Sequence, residues 1–296
     1  MPNSRLKKLV FRTAGILGSL LVLLLFFYAF AYYQTQRRAN QVYALAPQTL
    51  RIPEDAASYE LGRHVADIRD CKDCHGNDFS GQVFGGKDNP LGRLYASNLT
   101  PGKGGLQYTD QDWVRALRHG VGQDGKSLWF MPVQHVSTPL SNQELAALIS
   151  YLQQLPPVDK VHPTKAFKPL GRVLTFLGKF PMFPAELVDH QATYAEEVKP
   201  QVSATYGAYL AITCSGCHGT DFKGGPGRQK GEPVIADLTR TGNLKHWSWG
   251  EFRQTIRTGQ TPEGRQLSDF MPWKAYATSY QEPELEAIYL YLRTLK

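Results

Sequence analysis

Four cysteines occur in this 296-residue chain, and all lie in two copies of one pattern: Cys71-x-x-Cys74-His75 and Cys214-x-x-Cys217-His218. Two thiols at this spacing, followed at once by an imidazole, suit covalent attachment of a porphyrin. The thiols add to the two vinyl groups on one edge, and the His is then held against the iron as proximal ligand. A thioredoxin-like redox pair and a four-cysteine zinc site compete for the same thiols. Repetition of the whole motif behind an apolar N-terminal segment argues against both. The copies also run past the motif, because CKDCHGNDFSG (71–81) and CSGCHGTDFKG (214–224) share both cysteines, the His, the next Gly, the Asp-Phe pair and the closing Gly.

An iron held by His needs a partner or a vacancy on its other side. Methionine is scarce, yet Met131 in WFMPV and Met271 in DFMPW follow His75 and His218 at nearly equal distances, each with Phe before and Pro after. Core filling is the ordinary use of Met. Matched placement in both copies makes Met131 and Met271 the expected distal ligands, Met opposite His being a known pairing for haem iron. His119 and His135 are the fallback ligands in the first copy and His246 in the second. Met182 has no counterpart and is set aside.

The elements that must position these ligands repeat as well. YTDQDWVRALRHG (108–120) aligns with WSWGEFRQTIRTG (247–259), and Thr109/Asp112 and Ser248/Glu251 have capping-box spacing, so each segment should open a helix there and close at Gly120 or Gly259. A further capping box, Ser141/Glu144, precedes the stripe Leu145, Leu148, Ile149, Leu152, which recurs as Leu285, Ile288, Tyr289, Leu292. Short helical patterns lead into each cysteine motif, through Tyr59, Leu61, Val65 and Ile68 and through Tyr206, Tyr209, Leu210 and Ile212. No strand-like alternation of useful length competes. Each copy spans about a hundred residues with short apolar stripes, so a buried haem would supply much of its core. Phe79, Phe222, Trp113 and Phe252 are expected to pack on the haems. Arg118 and Arg257 are matched, as are Lys126 and Arg265, and these four are the candidate partners of haem propionates. Asn98-Leu99-Thr100 fits a glycosylation sequon, but the following Pro favours a hydrogen-bonding role within a loop.

At the N-terminus no charged residue occurs between Arg12 and Arg37, and Ile16–Tyr33 is nearly all apolar. As a helix that stretch is long enough for a hydrocarbon core of about 30 Å. Arg5, Lys7, Lys8 and Arg12 precede it, so the positive-inside bias puts the N-terminus in the cytoplasm and the remainder outside. Ala29-Phe30-Ala31 resembles a signal-peptidase site, but the uncharged span exceeds an h-region of about 7–15 residues. The expectation is an uncleaved anchor, with residues 14–33 in the lipid bilayer. The net charge of +7 resides almost wholly in residues 1–38, which hold six basic and no acidic side chains. The rest is nearly balanced, which argues against a nucleic-acid partner.

Four segments follow: an anchor (1–40), a first haem domain (41–157), a connector (158–200) and a second haem domain (201–296). The region between the copies is rich in proline (Pro156, Pro157, Pro163, Pro169, Pro181, Pro184) and contains LGRVLTFLGKFPMF. A free linker would be more polar, so it should pack on its neighbours, with Phe176, Leu177, Phe180 and Phe183 as packing residues.

In the order helix, C-x-x-C-H, glycine-rich loop, helix, Met loop, terminal helix, each copy resembles the class I cytochrome c fold. The expected architecture is all-α, two tandem class I cytochrome c domains behind one N-terminal transmembrane helix. SNLTPGKGGLQYTDQDWVRALRHGVGQDGKSL, LSNQELAALISYLQQLPP and, in the second half, ADLTRTG and RTGQTPEGRQLSDFMPW resemble the cytochrome c subunits of membrane-bound alcohol, aldehyde and gluconate dehydrogenases. Those subunits generally have three haem motifs; this chain has two. The two motifs imply two covalently bound haem c groups, and His with Met on both irons would leave no open position for substrate, so the expectation is one-electron transfer, not catalysis. Attachment of haem to C-x-x-C-H takes place outside the cytoplasmic membrane and agrees with the positive-inside flank, so the expectation is a bacterial inner-membrane protein, single-pass, with its haems in the periplasm. Its partner would be a membrane-bound redox complex: a dehydrogenase, a quinol-oxidising complex or a terminal oxidase. A dihaem peroxidase and a haem-bearing docking subunit of an oxidase or dehydrogenase complex are the alternatives.

Overall fold

A computed structural model of the chain describes residues 4–227 and 233–296, with side chains from Lys7 onward, so that of Arg5 lies outside the described residues. The chain is mostly helical. Its first helix, α1 (Ser4–Ala39), carries the apolar span, whose side chains are exposed along most of its length. Only the exit end is covered, where Ala31, Thr35 and Ala39 are buried.

The first half contains α2 (Ala56–Ile68), α3 (Cys71–His75), strands β1 (Val83–Gly85) and β2 (Gly92–Tyr95), α4 (Asp110–His119), α5 (Val133–Val136) and α6 (Asn142–Gln153). After β3 (Ala166–Phe167) and α7 (Pro169–Phe176), the second half contains α8 (Ala204–His218), α9 (Trp249–Thr258), α10 (Trp273–Ser279) and α11 (Glu282–Leu292). In each half the first helix crosses the last: α2 on α6, and α8 on α11. A glycine permits both crossings, because a Cβ on Gly62 would overlap the Ala147 carbonyl and one on Gly207 the Ala287 carbonyl. Leu145, Leu148, Ile149 and Leu152 of α6 are buried, as are Leu285, Ile288 and Leu292 of α11.

Local chemistry sets the helix ends. Thr109 and Ser248 accept from the amides of Asp112 and Glu251, whose carboxylates accept from the N-cap amides in return. Gly120 (φ 64°) and Gly259 (φ 73°) stop α4 and α9 in the left-handed region. The third expected box is only half made. Ser141 accepts from the Glu144 amide, but the Glu144 carboxylate turns to another part of the chain.

Three features depart from the sequence reading. The helix before the first cysteine pair is broken, with Asp70 left-handed (φ 57°), whereas α8 runs unbroken through the second motif. Two more residues separate Gly62 from Cys71 than separate Gly207 from Cys214, and the break absorbs them. A small antiparallel sheet also forms, ordered β1-β2-β3, with Gly92 opposite Phe167 and an irregularity between Val83 and Gly85. Strands of two to four residues are too short for a visible alternation. Finally, the connector packs unevenly. Met182 and Phe183 are buried in a cluster with Ala39 and Leu94, against which Phe180 packs, whereas Leu177 is 51% exposed.

Replacing Gly62 or Gly207 by Val should therefore separate one helix crossing while sparing the other. The expected cost is about 3 kcal/mol or more, since the clash is with backbone and not with a side chain that can turn away. Near-UV circular dichroism and thermal unfolding of each single variant would read it as partial loss of tertiary signal.

Candidate haem-binding site

The repeated motif builds the same loop twice. After each His, the main chain is turned by an Asp whose Oδ1 accepts from the amide two residues on, Asp78 from Ser80 (3.0 Å) and Asp221 from Lys223 (3.2 Å). The next residue, Phe79 (φ 57°) or Phe222 (φ 58°), is left-handed, an uncommon state for an aromatic residue, and it is held on both sides. Its carbonyl accepts from Leu99 (2.9 Å) or Leu238 (2.8 Å), and its ring packs edge-on against Tyr151 (5.8 Å) or Tyr291 (5.6 Å). The Asp-Phe pair is thus a loop-forming device, and these rings brace the terminal segment of each half. The closing Gly81 and Gly224 return the chain by donating to the carbonyls of His75 (2.7 Å) and His218 (2.8 Å).

Both imidazoles are oriented alike. His75 Nδ1 donates to the Ser97 carbonyl (2.9 Å), and His218 Nδ1 to the Ala236 carbonyl (2.8 Å). That bond fixes the tautomer and leaves Nε2 with its lone pair free, as a metal ligand requires. Burial pushes the His75 imidazole down to about 4 and lowers that of His218, so both are neutral at physiological pH. Burial likewise raises the Cys71 thiol to about 12 and those of Cys74 and Cys214 to about 11. These three thiols are protonated at physiological pH and partly covered, unlike the exposed low-pKa thiolates of redox catalysts.

In the first half Cys71, Cys74, His75 and Met131 line one cleft, whose walls include Leu99, Trp113, Leu117, Leu148 and Leu152. Two thiols and an imidazole on one wall, a thioether in the same cleft and apolar sides between them fit a covalently attached, axially ligated haem. In the second half Cys214 and Met271 both pack against the core that contains Phe222, Phe252 and Leu285. Of the fallback histidines, His119 and His135 bond other side chains, and His246 is exposed. His119 meets His190 (Nδ1 to Nδ1 3.1 Å), His135 bonds Ser215 inside the second cysteine motif (3.0 Å), and His246 follows a short 3-10 turn.

Basic residues are placed differently from the expectation. Arg118 donates to the carbonyls of Thr138 and Leu140 and to Asn142 Oδ1 (3.0 Å), beneath the Tyr194 ring, and it does not line the first cleft. Arg257 makes the matched clamp, to the Ala277 carbonyl, the Tyr280 carbonyl (3.0 Å) and Glu282 (2.8 Å). Both tie the end of one helix to the loop entering the last one. Lys126 is also absent from the cleft wall, and Lys126 and Arg265 each give a main-chain carbonyl to a tight turn. The cation that does line the cleft is Arg69, only 1% exposed, whose Nε is buried without a hydrogen-bond partner. Sequence reasoning passed over it, although it belongs to the extra residues that precede the first motif. Asn98 fulfils its expected loop role, donating to the Val158 carbonyl (2.8 Å) and accepting from Thr100.

The two halves meet reciprocally. His64 of α2 and Tyr209 of α8 stand two residues after Gly62 and Gly207, and Glu144 and Glu284 are matched on the last helices. His64 Nε2 bonds Glu284 (2.7 Å), while the Tyr209 hydroxyl donates to Glu144 and accepts from the Ser141 amide (2.9 Å). Ile68 is buried in the second half's core, its carbonyl accepting from the Tyr280 hydroxyl (3.2 Å). Arg69 crosses the same boundary to Thr213 Oγ1 (3.1 Å) and stacks on Tyr209. The two cysteine motifs therefore lie on a shared interface.

Comparison with known proteins agrees with this geometry. Residues 59–156 match the cytochrome c family and form a cytochrome c domain, a family whose members hold covalently bound haem c. Over 259 residues the chain is 26% identical to the fructose dehydrogenase cytochrome subunit of Gluconobacter japonicus, covering 80% of this chain and 52% of that protein. Over 276 residues it is 26% identical to the cytochrome c subunit of alcohol dehydrogenase (quinone) from Gluconacetobacter polyoxogenes, covering 81% and 56%. A 101-residue match, 34% identical, joins it to the gluconate 2-dehydrogenase cytochrome c subunit of Pantoea cypripedii (32% and 22% covered). The chain is thus homologous to cytochrome c subunits of dehydrogenases and spans about half the length of the first two.

The interface should respond to pH. The bond to Glu284 raises the His64 imidazole above its usual 6.5. Its stabilising contribution is present in full below pH 6.5 and is lost as pH rises through the elevated folded value. His64→Gln should flatten the pH dependence of the thermal midpoint over that window, a loss of ~1 kcal/mol at the acid end. A variant that retains the wild-type slope would show that His64 is not its source.

Proposed function

We propose that the chain is a membrane-anchored, dihaem electron-transfer protein built as two tandem cytochrome c domains. One haem would be attached through Cys71 and Cys74 with His75 and Met131 as axial ligands, the other through Cys214 and Cys217 with His218 and Met271. The observation that carries this reading is the matched pair of ligand loops, each with a buried neutral His whose Nδ1 is tied to a main-chain carbonyl. In the first half a Met faces the same cleft. Haem c supplies the one-electron couple; the protein holds the iron on both sides, keeps water away and raises the potential through the Met sulfur. With both axial positions filled there is no place for a substrate, so the protein is a carrier and not an enzyme.

The names of its relatives and the apolar α1 support a place beside a membrane-bound dehydrogenase. The basic flank before the apolar span favours a bacterial inner-membrane anchor with the haem domains in the periplasm. Arg69 is a better candidate than Arg118, Arg257, Lys126 or Arg265 for charge contact with the first haem, because it lines the cleft and its Nε is buried without a hydrogen-bond partner.

An optical and EPR redox titration, with covalent haem counted per chain, tests the reading. Two low-spin haems per chain with the far-red Met-to-ferric-iron band, and no reaction with peroxide or carbon monoxide, are expected. Met131→Ala and Met271→Ala should each remove about half of that band and lower one potential by on the order of 0.1 V, within the range axial ligands command. A high-spin, peroxide-reactive haem in the unaltered protein would favour a dihaem peroxidase instead.

A further inference from the structure

The connector presents a second apolar surface beside the anchor. Leu170, Val173 and Leu174 of α7 and Leu177 at its C-cap fall at i, i+3, i+4 and i+7 and share one face. None of them joins the three buried clusters found among the described residues, and Leu170 and Leu177 are 46% and 51% exposed. Other positions of the helix are committed. Gly171 lies against the Leu91 carbonyl, Thr175 is fully buried, and Phe176 packs edge-on against Phe27 (5.8 Å) and Phe30 (5.6 Å) of α1.

Those two ring contacts set a depth. Phe27 and Phe30 belong to the uncharged Ile16–Tyr33 span, and at 1.5 Å per residue they lie about 9 Å and about 4.5 Å inward of Tyr33. A helix that puts a side chain between them cannot stand clear of the headgroups when α1 crosses the bilayer. Its polar contacts fit the same level. Arg172 donates to Thr35 (3.2 Å) and Gln36 (3.1 Å) and covers the Tyr32 ring, at the boundary where the apolar span gives way to polar residues. Lys168 holds the N-cap position of α7 without a side-chain cap, its ammonium donating to the Lys87 carbonyl, Lys179 lies just past the helix end, and Arg38 of α1 donates to the Thr175 carbonyl (3.1 Å). Apolar residues on one face with long cations at both ends are the pattern of a helix seated in the membrane interface, where such helices bury about 5–10 Å.

We propose that α7 is an interfacial lipid-binding helix whose Leu170–Val173–Leu174–Leu177 face docks into the headgroup and acyl boundary of the bilayer that α1 spans. The inference rests on the membrane-anchor reading above and adds a second point of contact. Two contacts hold the haem-bearing halves at one orientation to the membrane, where a single helix with a flexible exit would let them swing.

The experiment uses the full haem-loaded chain, in which haem attachment occupies the native thiols and leaves an introduced Cys as the free one. Nitroxide labels at Leu177→Cys and, separately, Leu170→Cys would be measured by EPR power saturation in phosphatidylethanolamine–phosphatidylglycerol vesicles. Oxygen serves as the lipid-soluble collider and a nickel chelate as the aqueous one. Leu23→Cys marks the anchor and the exposed Val202→Cys marks water. Labels at 177 and 170 are expected to favour oxygen, as at 23 but less strongly. A preference for the nickel chelate, as at 202, would overturn the proposal. Shielding from both colliders would also overturn it, because a protein partner would then cover the face. If the label at 23 also favours the chelate, the anchor reading fails and this inference fails with it.

Discussion

Contact between backbones, made possible by glycine, governs the arrangement of this protein. Gly62 against the Ala147 carbonyl and Gly207 against the Ala287 carbonyl bring the first and last helices of each half closer than any side chain would permit. With that crossing made, the C-x-x-C-H segment, a short helix after the break in the first half and the end of α8 in the second, opens onto the space beside the last helix. The Asp turn and the left-handed Phe then bring the chain back behind the His, and the Ser97 or Ala236 carbonyl meets Nδ1. The imidazole is positioned by main-chain groups alone, so its orientation does not depend on a flexible partner. Pre-organisation of this kind is what a permanent iron ligand needs.

The same repeat explains how the halves join. Because Glu144 and Glu284 occupy matched positions, and His64 and Tyr209 likewise, one set of contacts forms twice about an approximate two-fold relation. Burial pushes the Glu144 carboxyl up, which makes a hydroxyl donor such as Tyr209 a suitable partner for it. In the other copy an imidazole does the corresponding work, and Glu284 also accepts from the Gln281 amide (2.7 Å). Arg69 is the asymmetric member, present only where the extra residues break the helix. Its side chain reaches from the first cleft to the second half, a buried cation between the two cysteine motifs. A buried charge in such a place acts on whatever titrates or changes charge beside it, because little water lies between to screen it.

Much of this was legible in the residues. The repeated thiols, the two complete capping boxes and the terminal glycines of α4 and α9 stand where local chemistry places them, since each rests on bonds within one turn of chain. What the sequence could not disclose is set by contacts between distant segments. Glu144 has capping-box spacing, but its carboxylate bonds a tyrosine in the other half. Arg118 and Arg257 look like propionate partners because they are matched cations, yet their nearest acceptors are carbonyls of the following loop. Phe79 and Phe222 read as haem packing, and only the backbone shows them to be loop formers. The three short strands rely on the connector for their third member, and no local pattern announces that pairing. Arg69 left a signal in the unequal spacing from glycine to cysteine, visible once the two glycines are aligned in place of the two cysteines.

The connector, which has no counterpart in the repeat, makes the halves unequal. The Phe130 amide donates to the Met182 carbonyl (2.8 Å), the Ala185 amide donates to Ser127 Oγ (3.2 Å), and Trp129 packs on the cluster of Ala39, Leu94, Met182 and Phe183. The loop bearing Met131 is thereby fastened to the exit of α1 through the same segment that carries α7. Beside Met271 the Phe270 ring is 65% exposed, against 39% for Phe130 beside Met131. The two Met loops thus have different surroundings, one fastened to the connector and the exit of α1, the other with a more exposed Phe ring. If both sites take the ligand set proposed above, a difference in potential or in access to a partner would arise from these surroundings: the connector, Arg69 and the more exposed aromatic edge of the second Met loop.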